Sequence, residues 1–158
     1  MSLELDRIDR DLLLALQEDA RQTIKELATR VDLSPSATHA RVQRLRDAGV
    51  VTAFRAELDP AEVGVGLQAL IQVYLQRHSR EALAGFRAHC LRLTEVVAVT
   101  HLTGSVDFLV HVAVRDVDHL RKLALESFTT REEVGRIETA IVYEHVAAPG
   151  WPVYEGAP

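Results

Sequence analysis

The chain is poor in several features that would assign its class at once. Its 158 residues include one cysteine, Cys90, so no internal disulfide can form and a reducing compartment is favoured. No apolar run approaches the ~20 residues that a membrane helix needs, and the polar, acidic start does not resemble a signal peptide. We therefore expect a cytoplasmic globular protein with no membrane partner, containing one domain or two small ones.

Motifs of common enzyme chemistry are also missing. The sequence holds no Gly-x-x-x-x-Gly-Lys, no Gly-x-Gly-x-x-Gly and no serine in an elbow motif. Seven histidines are scattered along the chain. His101 and His111 fall on neighbouring predicted strands and could lie close, but no cysteine or carboxylate stands beside them at ligand spacing. We expect no enzyme activity, no catalytic residue, no cofactor and no metal site, and we interpret Cys90 as a packing residue.

Residues 23–49 carry the most informative pattern. Thr23 and Glu26 have the spacing of a capping box, in which each side chain binds a free backbone N–H group. Ser34 before Pro35 is a favoured helix start, and Gly49 is a favoured helix end. The pattern predicts two short helices joined by a tight turn, as in a helix-turn-helix.

The second of these helices has an outer face suited to the major groove of DNA. On a helical wheel Thr38, Val42 and Leu45 face inward, and residues 33–46 hold three arginines and no acid. We expect the outer face to read bases through Ser36, His39, Gln43 and Arg44 and to bind phosphates through Ser34, Arg41 and Arg46. The alternative is a solvated amphipathic face. Because the whole chain carries a net charge of −5, one copy should bind DNA weakly, which favours dimers or larger assemblies.

The periodicity of the remaining sequence predicts an α+β protein of two domains. A first helix over residues 7–19 completes a three-helix head, and an extended stretch runs to Asp59-Pro60. Predicted strands at 67–76, 96–103, 106–114 and 137–145 alternate with helices at 79–93 and from Asp116 to about Phe128. This β-α-β-β-α-β order is that of ferredoxin-like domains.

The resulting domain assignment is a helix-turn-helix head at 1–50, a linker at 51–65, a ferredoxin-like domain at 66–146 and a tail at 147–158. The tail holds three of the five prolines and two of the eight glycines, so it should be irregular. Trp151 and Tyr154 are expected to pack on a partner subunit or on the sheet, with stacking on a ligand as a further possibility.

This layout resembles the Lrp/AsnC family of transcription regulators, and the resemblance covers nearly the whole chain. The matching segments, in chain order, are Leu-Asp-Arg-Ile-Asp at 5–9, Leu-Gln-Glu-Asp-Ala-Arg at 16–21, Glu-Leu-Ala at 26–28, Leu-Ser-Pro-Ser at 33–36, Arg-Val-Gln-Arg-Leu at 41–45, Gly-Val-Val at 49–51, Leu-Asp-Pro at 58–60 and Thr-Gly-Ser-Val-Asp-Phe at 103–108. Each match alone is weak, but together and in order they are specific.

The resemblance implies a winged-helix-like head that binds double-stranded DNA and a second domain that forms dimers and then octamers or similar rings. It also implies a small effector, usually an amino acid, bound between neighbouring dimers. The implied effector-binding residues are Thr103, Gly104, Ser105, Val106, Asp107 and Thr139. In such a site the turn N–H groups suit the carboxylate of an amino acid, and Asp107 suits its ammonium group. The effector would shift the assembly state and so the DNA geometry that is bound.

The chain departs from the family pattern at several positions. Asp32 stands where glycine is common, which predicts an altered turn or an aspartate in the left-handed region. Val106 replaces a frequent aromatic residue, Ile137 a frequent threonine, and Arg131–Val134 a frequent Pro-Gly-Val. These differences leave the effector open, and the alternative for Asp107 is a solvated carboxylate beside a β-turn.

Two other functions compete with this interpretation. Sirohaem decarboxylases resemble the same family, but they carry a His-x-Asn-x-Trp type segment where this chain has residues 104–108, which argues against decarboxylation. The other alternative is an assembly module whose head no longer binds DNA. Ser36, Arg41 and Arg44 argue against this alternative.

Overall fold

The computed structural model describes residues 3–154, which divide into two compact units. Within the described residues, the first unit comprises residues 3–57 together with residues 146–154, and the second comprises Leu58–His145. Residues 51–65, all within the described range, contain no helix or strand. The C-terminal segment therefore groups with the N-terminal head.

The first unit contains three helices, α1 (Arg7–Glu18), α2 (Ile24–Val31) and α3 (Pro35–Asp47). The predicted capping box of α2 is confirmed, since the Thr23 N–H donates to Glu26 Oε2 at 2.7 Å and the Glu26 N–H to Thr23 Oγ1 at 3.3 Å. Helix α1 has a second capping box, between Asp6 and Asp9. Because the caps satisfy N–H groups that no helical carbonyl reaches, they fix where each helix starts.

A small apolar core holds the three helices together. Leu12 and Ala15 of α1 pack with Leu27 of α2 and Val42 of α3. The inward face of α3 matches the prediction, because Thr38, Val42 and Leu45 are all buried. The opposite face of α3 is therefore left to solvent.

The turn between α2 and α3 depends on one left-handed residue. Asp32 has φ 53° and ψ 49° and ends α2, so it adopts the left-handed conformation that the sequence analysis allowed for it. Gly49, at φ 71°, follows α3 in the same left-handed region, as its position predicted. These two residues set the direction in which the chain enters and leaves α3.

The second unit is a four-stranded antiparallel sheet with helices on one face. Its elements, in chain order, are β1 (Leu67–Leu75), α4 (Arg80–Cys90), β2 (Val96–His101), β3 (Phe108–Val114), α5 (Val117–Leu123), a π-helical continuation (Ala124–Thr129) and β4 (Val134–Ile141). The strand order is β2-β3-β1-β4. This is the split βαβ arrangement, so the predicted α+β ferredoxin-like fold is confirmed.

The core of the second unit lies between the sheet and its helices. Alternate residues of β1 and β3 are buried, and they pack against Phe86 of α4 and Phe128 of the π-helical segment. The Phe86 and Phe108 ring centroids are 4.9 Å apart. Cys90 is fully buried in this core, and burial raises the pKa of its thiol to about 12, which agrees with a packing role.

The last strand and the last helix differ from their predicted positions. Strand β4 begins at Val134 and ends at Ile141, whereas the sequence predicted 137–145. Near this start a Cβ at Gly135 would lie 3.3 Å from the Cβ of Gln76, so glycine allows a slightly closer approach of the two segments. The predicted last helix changes to π-helical geometry over Ala124–Thr129, and His89 Nε2 lies 2.8 Å from the Ser127 carbonyl oxygen of that segment.

Two further expectations fall on the sheet and the tail. Within one hairpin His101 pairs with Phe108 and His111 pairs with Ala98, which places the two histidines on opposite faces of the sheet rather than together. The expectation that Trp151 and Tyr154 pack on a partner subunit or on the sheet stays a prediction. Within the first unit the Trp151 side chain is 85% exposed, and its backbone is hydrogen-bonded to the Gln17 side chain of α1.

The described residues offer no membrane span and no metal-binding cluster. No helix within residues 3–154 is long and apolar enough to cross a membrane. In the same part of the chain no three His, Cys, Asp or Glu side chains are grouped so that they could hold a metal ion.

Candidate functional site

Helix α3 presents a polar outer face whose start is firmly fixed. The Ser34 hydroxyl accepts a hydrogen bond from the Ala37 N–H at 3.3 Å, and Pro35 occupies the first helical position. The Ser34 and Ser36 hydroxyl oxygens are 3.1 Å apart. Ser36 and His39 are exposed, and His39 has no hydrogen bond or ion pair to any other described residue. Both side chains are therefore available to a ligand.

Two arginines of the same helix converge on one buried carboxylate. Asp9 of α1 is fully buried, and its Oδ1 accepts from Arg41 Nη1 at 2.9 Å. Its Oδ2 accepts from Arg44 Nη2 at 2.5 Å. Arg41 Nη1 also donates to Asp6 Oδ2 at 2.7 Å. This carboxylate network joins the first helix of the head to the outer border of α3.

The network fixes the charge and the orientation of its members. Hydrogen bonds to Asp6 and Asp9 raise the pKa of Arg41, and the Asp9 N–H followed by Arg41 lowers the pKa of Asp6. Arg44 remains 46% exposed and uses one of its five N–H donors on Asp9. Both arginines, expected from the sequence as free DNA-contacting groups, are thus held in place by α1, and Arg44 still presents donors to solvent.

The two remaining polar residues of the face also have partners. Gln43 Nε2 donates to Asp47 Oδ1 at 2.8 Å, one turn further along α3. The Arg46 guanidinium lies 5.6 Å from the Phe54 ring centroid, within the range of a cation–π interaction. These contacts are exposed and individually weak, so a stronger ligand can replace them.

The loop between β2 and β3 forms the second predicted site. Gly104 has φ 116°, and the loop is closed by the Leu102 N–H donating to the Asp107 carbonyl at 2.9 Å. The backbone N–H groups of residues 103–106 make no backbone hydrogen bond within the described chain. Thr103, Gly104 and Ser105 are exposed, and Val106 is half-buried. Backbone N–H groups without a partner are suitable donors to a carboxylate.

Asp107 is not the solvated carboxylate of a simple turn. Its Oδ2 accepts from the Leu75 N–H at 2.8 Å, and its Oδ1 lies 2.8 Å from His78 Nε2. The Asp107 side chain is only 14% exposed. Its negative charge is therefore already partnered in the ligand-free chain, by the end of β1 and by the loop that follows it.

Thr139 is not brought next to this loop within one chain. It lies on β4 opposite Ile71, whereas Asp107 immediately precedes β3. Since β1 separates β3 from β4, the two residues are at least two strand spacings apart, about 10 Å. The structure therefore does not bring Thr139 together with the Thr103–Asp107 loop within one copy.

Three residues that the structure places in these sites, Asp6, Asp9 and His78, were not predicted as site residues. Asp6 and Asp9 have the spacing of a capping box ahead of an apolar run, and this signal could have located them. Their second function, holding Arg41 and Arg44, depends on how α1 crosses α3 and has no local signal. His78 likewise lies 29 positions before Asp107 and meets it only through the pairing of β1 with β3.

The face of the sheet opposite the helices is a second surface of interest in this unit, and it combines polar and apolar side chains. It carries Leu70, Tyr74 and Leu109, all half-buried, beside His111. His111 Nε2 lies 2.8 Å from Gln68 Oε1. Burial, followed by the charge of the nearby His145, lowers the pKa of His111.

Comparison with known proteins agrees with both halves of this description. Residues 5–52 match the model for a winged helix-turn-helix DNA-binding domain, and residues 68–152 match the model for the Lrp/AsnC ligand binding domain. A helix-turn-helix head joined to a ligand-binding domain defines a transcriptional regulator. The chain belongs to the Lrp/AsnC family.

Relatives and solved structures cover most of the chain. The transcriptional regulator AldR of Mycolicibacterium smegmatis is 43% identical over 90% of this chain and 84% of its own length. The leucine-responsive regulatory protein of Salmonella typhimurium is 33% identical over 90% and 87%. The crystal structure of a transcriptional regulator from Neisseria meningitidis in complex with L-Met superimposes with a TM-score of 0.84 at 33% identity, over 91% of this chain and 93% of that one.

Proposed function

We propose that this regulator binds a specific DNA site through the outer face of α3. The single observation that carries the proposal is a capped, exposed helix whose arginines are oriented by a buried aspartate. Ser36, His39, Gln43 and Arg44 read base edges, while Ser34, Arg41 and Arg46 contact phosphates. Because the exposed contacts of Gln43 and Arg46 are weak, DNA can replace them without unfolding the head.

The assembly that we propose starts from the open face of the sheet. Its apolar residues Leu70 and Leu109 need a cover, and a second copy supplies a matching face. A dimer of this kind presents two recognition helices to successive major grooves, roughly 34 Å apart, of a two-fold related site. Dimers then associate into octamers or similar rings.

We further propose that the effector is an amino acid bound between neighbouring copies. The free N–H groups of residues 103–106 receive its carboxylate, Asp107 receives its ammonium group, and Thr139 of a neighbouring copy completes the site. The structural neighbour crystallised with L-Met supports this class of ligand. Binding shifts the assembly state and so the DNA geometry that is recognised.

This proposal assigns the DNA-binding domain to residues 1–50, the linker to 51–65, the sensing and oligomerisation domain to 66–146 and the tail to 147–158. We also propose a cytoplasmic location, which the single cysteine and the proposed DNA ligand support.

A gel shift on the DNA immediately upstream of the coding region tests the proposal, at low and moderate salt and with or without the twenty amino acids. We expect specific binding that survives moderate salt and changes with at least one amino acid, because base contacts add to the salt-sensitive phosphate contacts.

Two variants with the same charge reversal test whether DNA contacts the head rather than the rest of the chain. Arg46→Glu reverses a charge on α3 and should weaken binding at least tenfold, whereas Arg121→Glu makes the same change on the exposed face of α5 and should leave binding unchanged. Equal binding by both variants and the wild type would remove α3 from the proposed interface.

A further inference from the structure

In the proposed effector site, the carboxylate of Asp107 is already contacted by the side chain of His78. Asp107 has two carboxylate oxygens, and Oδ2 is bound by the Leu75 N–H at the end of β1. Oδ1, the remaining oxygen, lies 2.8 Å from His78 Nε2. An ammonium group that approaches Asp107 therefore meets an acceptor that is already in use.

The two partners of Asp107 differ in how readily they can leave. The Leu75 N–H belongs to β1, which pairs with β4 at Leu75 itself and with β3 up to Val73, so the strand holds this N–H in place. His78 lies in the connection between β1 and α4, outside any helix or strand, and its side chain is 62% exposed. Rotation of the His78 side chain frees Oδ1 without disturbing the sheet.

We propose that His78 is a displaceable latch on the effector site, in which the imidazole holds Asp107 until the ammonium group of an amino acid replaces it. This inference rests on the proposed amino-acid function. Until it is displaced, the imidazole orients Asp107, and the apparent affinity for the effector is reduced to the fraction of molecules in which the latch is open.

A series of substitutions at His78 should change the amino-acid affinity in an order that depends on the new side chain. General loosening of the loop would not produce this order. His78→Ala removes the competitor and should tighten amino-acid binding about twofold to fivefold, the range that a half-exposed ion pair supports. His78→Gln should fall between alanine and the wild type. His78→Lys places a permanent ammonium group beside Asp107 and should bind the effector no better than the wild type, or more weakly.

The matched control is the other histidine–carboxylate pair of the same unit. His119 Nε2 lies 3.1 Å from Glu95 Oε1, at the start of α5 and away from the Thr103–Asp107 loop. His119→Ala removes an equivalent contact and should leave amino-acid affinity unchanged.

The test is a calorimetric titration of the full-length wild type and each variant with the twenty L-amino acids in turn. Tighter binding by His78→Ala than by both the wild type and His78→Lys, with His119→Ala unchanged, supports the latch, as does binding that is detectable only in His78→Ala. If His78→Ala binds no more tightly than the wild type, the latch is overturned while the amino-acid function stands. If no amino acid binds any variant, the proposed effector class fails and the latch fails with it.

Discussion

At the scale of single residues, Asp32 is the residue whose backbone conformation most clearly lowers the stability of the protein. It is the one non-glycine residue with positive φ within residues 3–154. Left-handed backbone is unfavourable for residues with a Cβ, although aspartate tolerates it better than most. Its negative charge also stands at the C-terminal end of α2, where the helix dipole disfavours it.

We predict that Asp32→Gly stabilises the protein by about 0.5–1 kcal/mol, because glycine adopts the left-handed region freely and removes the charge. Urea unfolding at neutral pH measures the change. Asp32→Asn removes only the charge and should give an intermediate value, whereas Asp32→Ala should destabilise. A less stable glycine variant would mean that the carboxylate makes a compensating contribution to the turn.

His111 gives a prediction about pH. Because its pKa is lowered in the folded chain, the unfolded chain binds more protons once the pH falls below about 6.5. Stability should therefore be retained at neutral pH and decrease as the pH falls from about 7 to 5. Carboxylates with lowered pKa values, such as Asp6 and Glu26, lose their contribution to stability only at lower pH.

We expect His111→Gln to keep a polar contact with Gln68 and to remove this acid sensitivity. Urea unfolding of the wild type and the variant at pH 7.5 and 5.5 should show a smaller decrease in the free energy of unfolding for the variant. An equal decrease in both proteins would assign the acid sensitivity to other groups.

At the scale of secondary structure elements, the sequence predicted the helix caps. It did not predict the contacts between elements that are distant in the chain. Thr23 and Ser34 stand next to the N–H groups that they cap, so a few neighbouring residues contain the whole signal. Strand β4 was placed too late because the charged residues before it and Gly135 resemble a loop locally. Near its true start Gln76, which lies far away in the sequence, approaches Gly135 closely.

The α1–α3 contact through Asp9 leads to a third prediction. Asp9→Asn replaces one carboxylate oxygen with an NH₂ group that faces a guanidinium. The substitution should cost about 1.5–3 kcal/mol, the usual value of hydrogen bonds to charged groups, since the partly exposed arginines can regain water. Urea unfolding of the full-length protein measures this change.

The control for Asp9 is a bidentate pair in the same head that is exposed. Arg30 donates to both oxygens of Glu18, but the two side chains are 42% and 61% exposed. Glu18→Gln should therefore cost less stability than Asp9→Asn. Similar costs for Asp9→Asn and Glu18→Gln would show that burial of Asp9 adds little to the strength of its network.

At the scale of the whole molecule, the C-terminal segment returns to the N-terminal head. The Gln17 side chain donates from Nε2 to the Trp151 carbonyl at 3.1 Å and accepts from the Trp151 N–H. The segment also lines, with α1 and residues 50–57, a cavity of about 810 Å³ within the first unit. One glutamine therefore makes both backbone bonds that tie Trp151 to α1.

We predict that Gln17→Ala releases this segment with little loss of global stability. Chymotrypsin should cut after Tyr154 several times faster in the variant, because local opening exposes the backbone to the protease. Gln43→Ala, on the same head but away from the segment, should leave the cleavage rate unchanged. Equal rates in all three proteins would show that other contacts hold the segment in place.

The sequence by itself determined the elements that rest on local chemistry. The capped helices, the β-α-β-β-α-β order and the Lrp/AsnC membership all follow from residues close together in the chain or from motifs in a fixed order. These features could be predicted because caps and hydrophobic periodicity act over one or two turns of the backbone.

The tertiary structure alone decided which charges meet. Arg41 and Arg44 are predicted DNA contacts whose guanidinium groups are held by Asp9, 32 and 35 positions away. Asp107 is a predicted effector ligand whose carboxylate is held by His78. Sequence patterns identify groups that can form an ion pair, but the partner depends on which elements pack together, because the attraction between charges depends on distance in space.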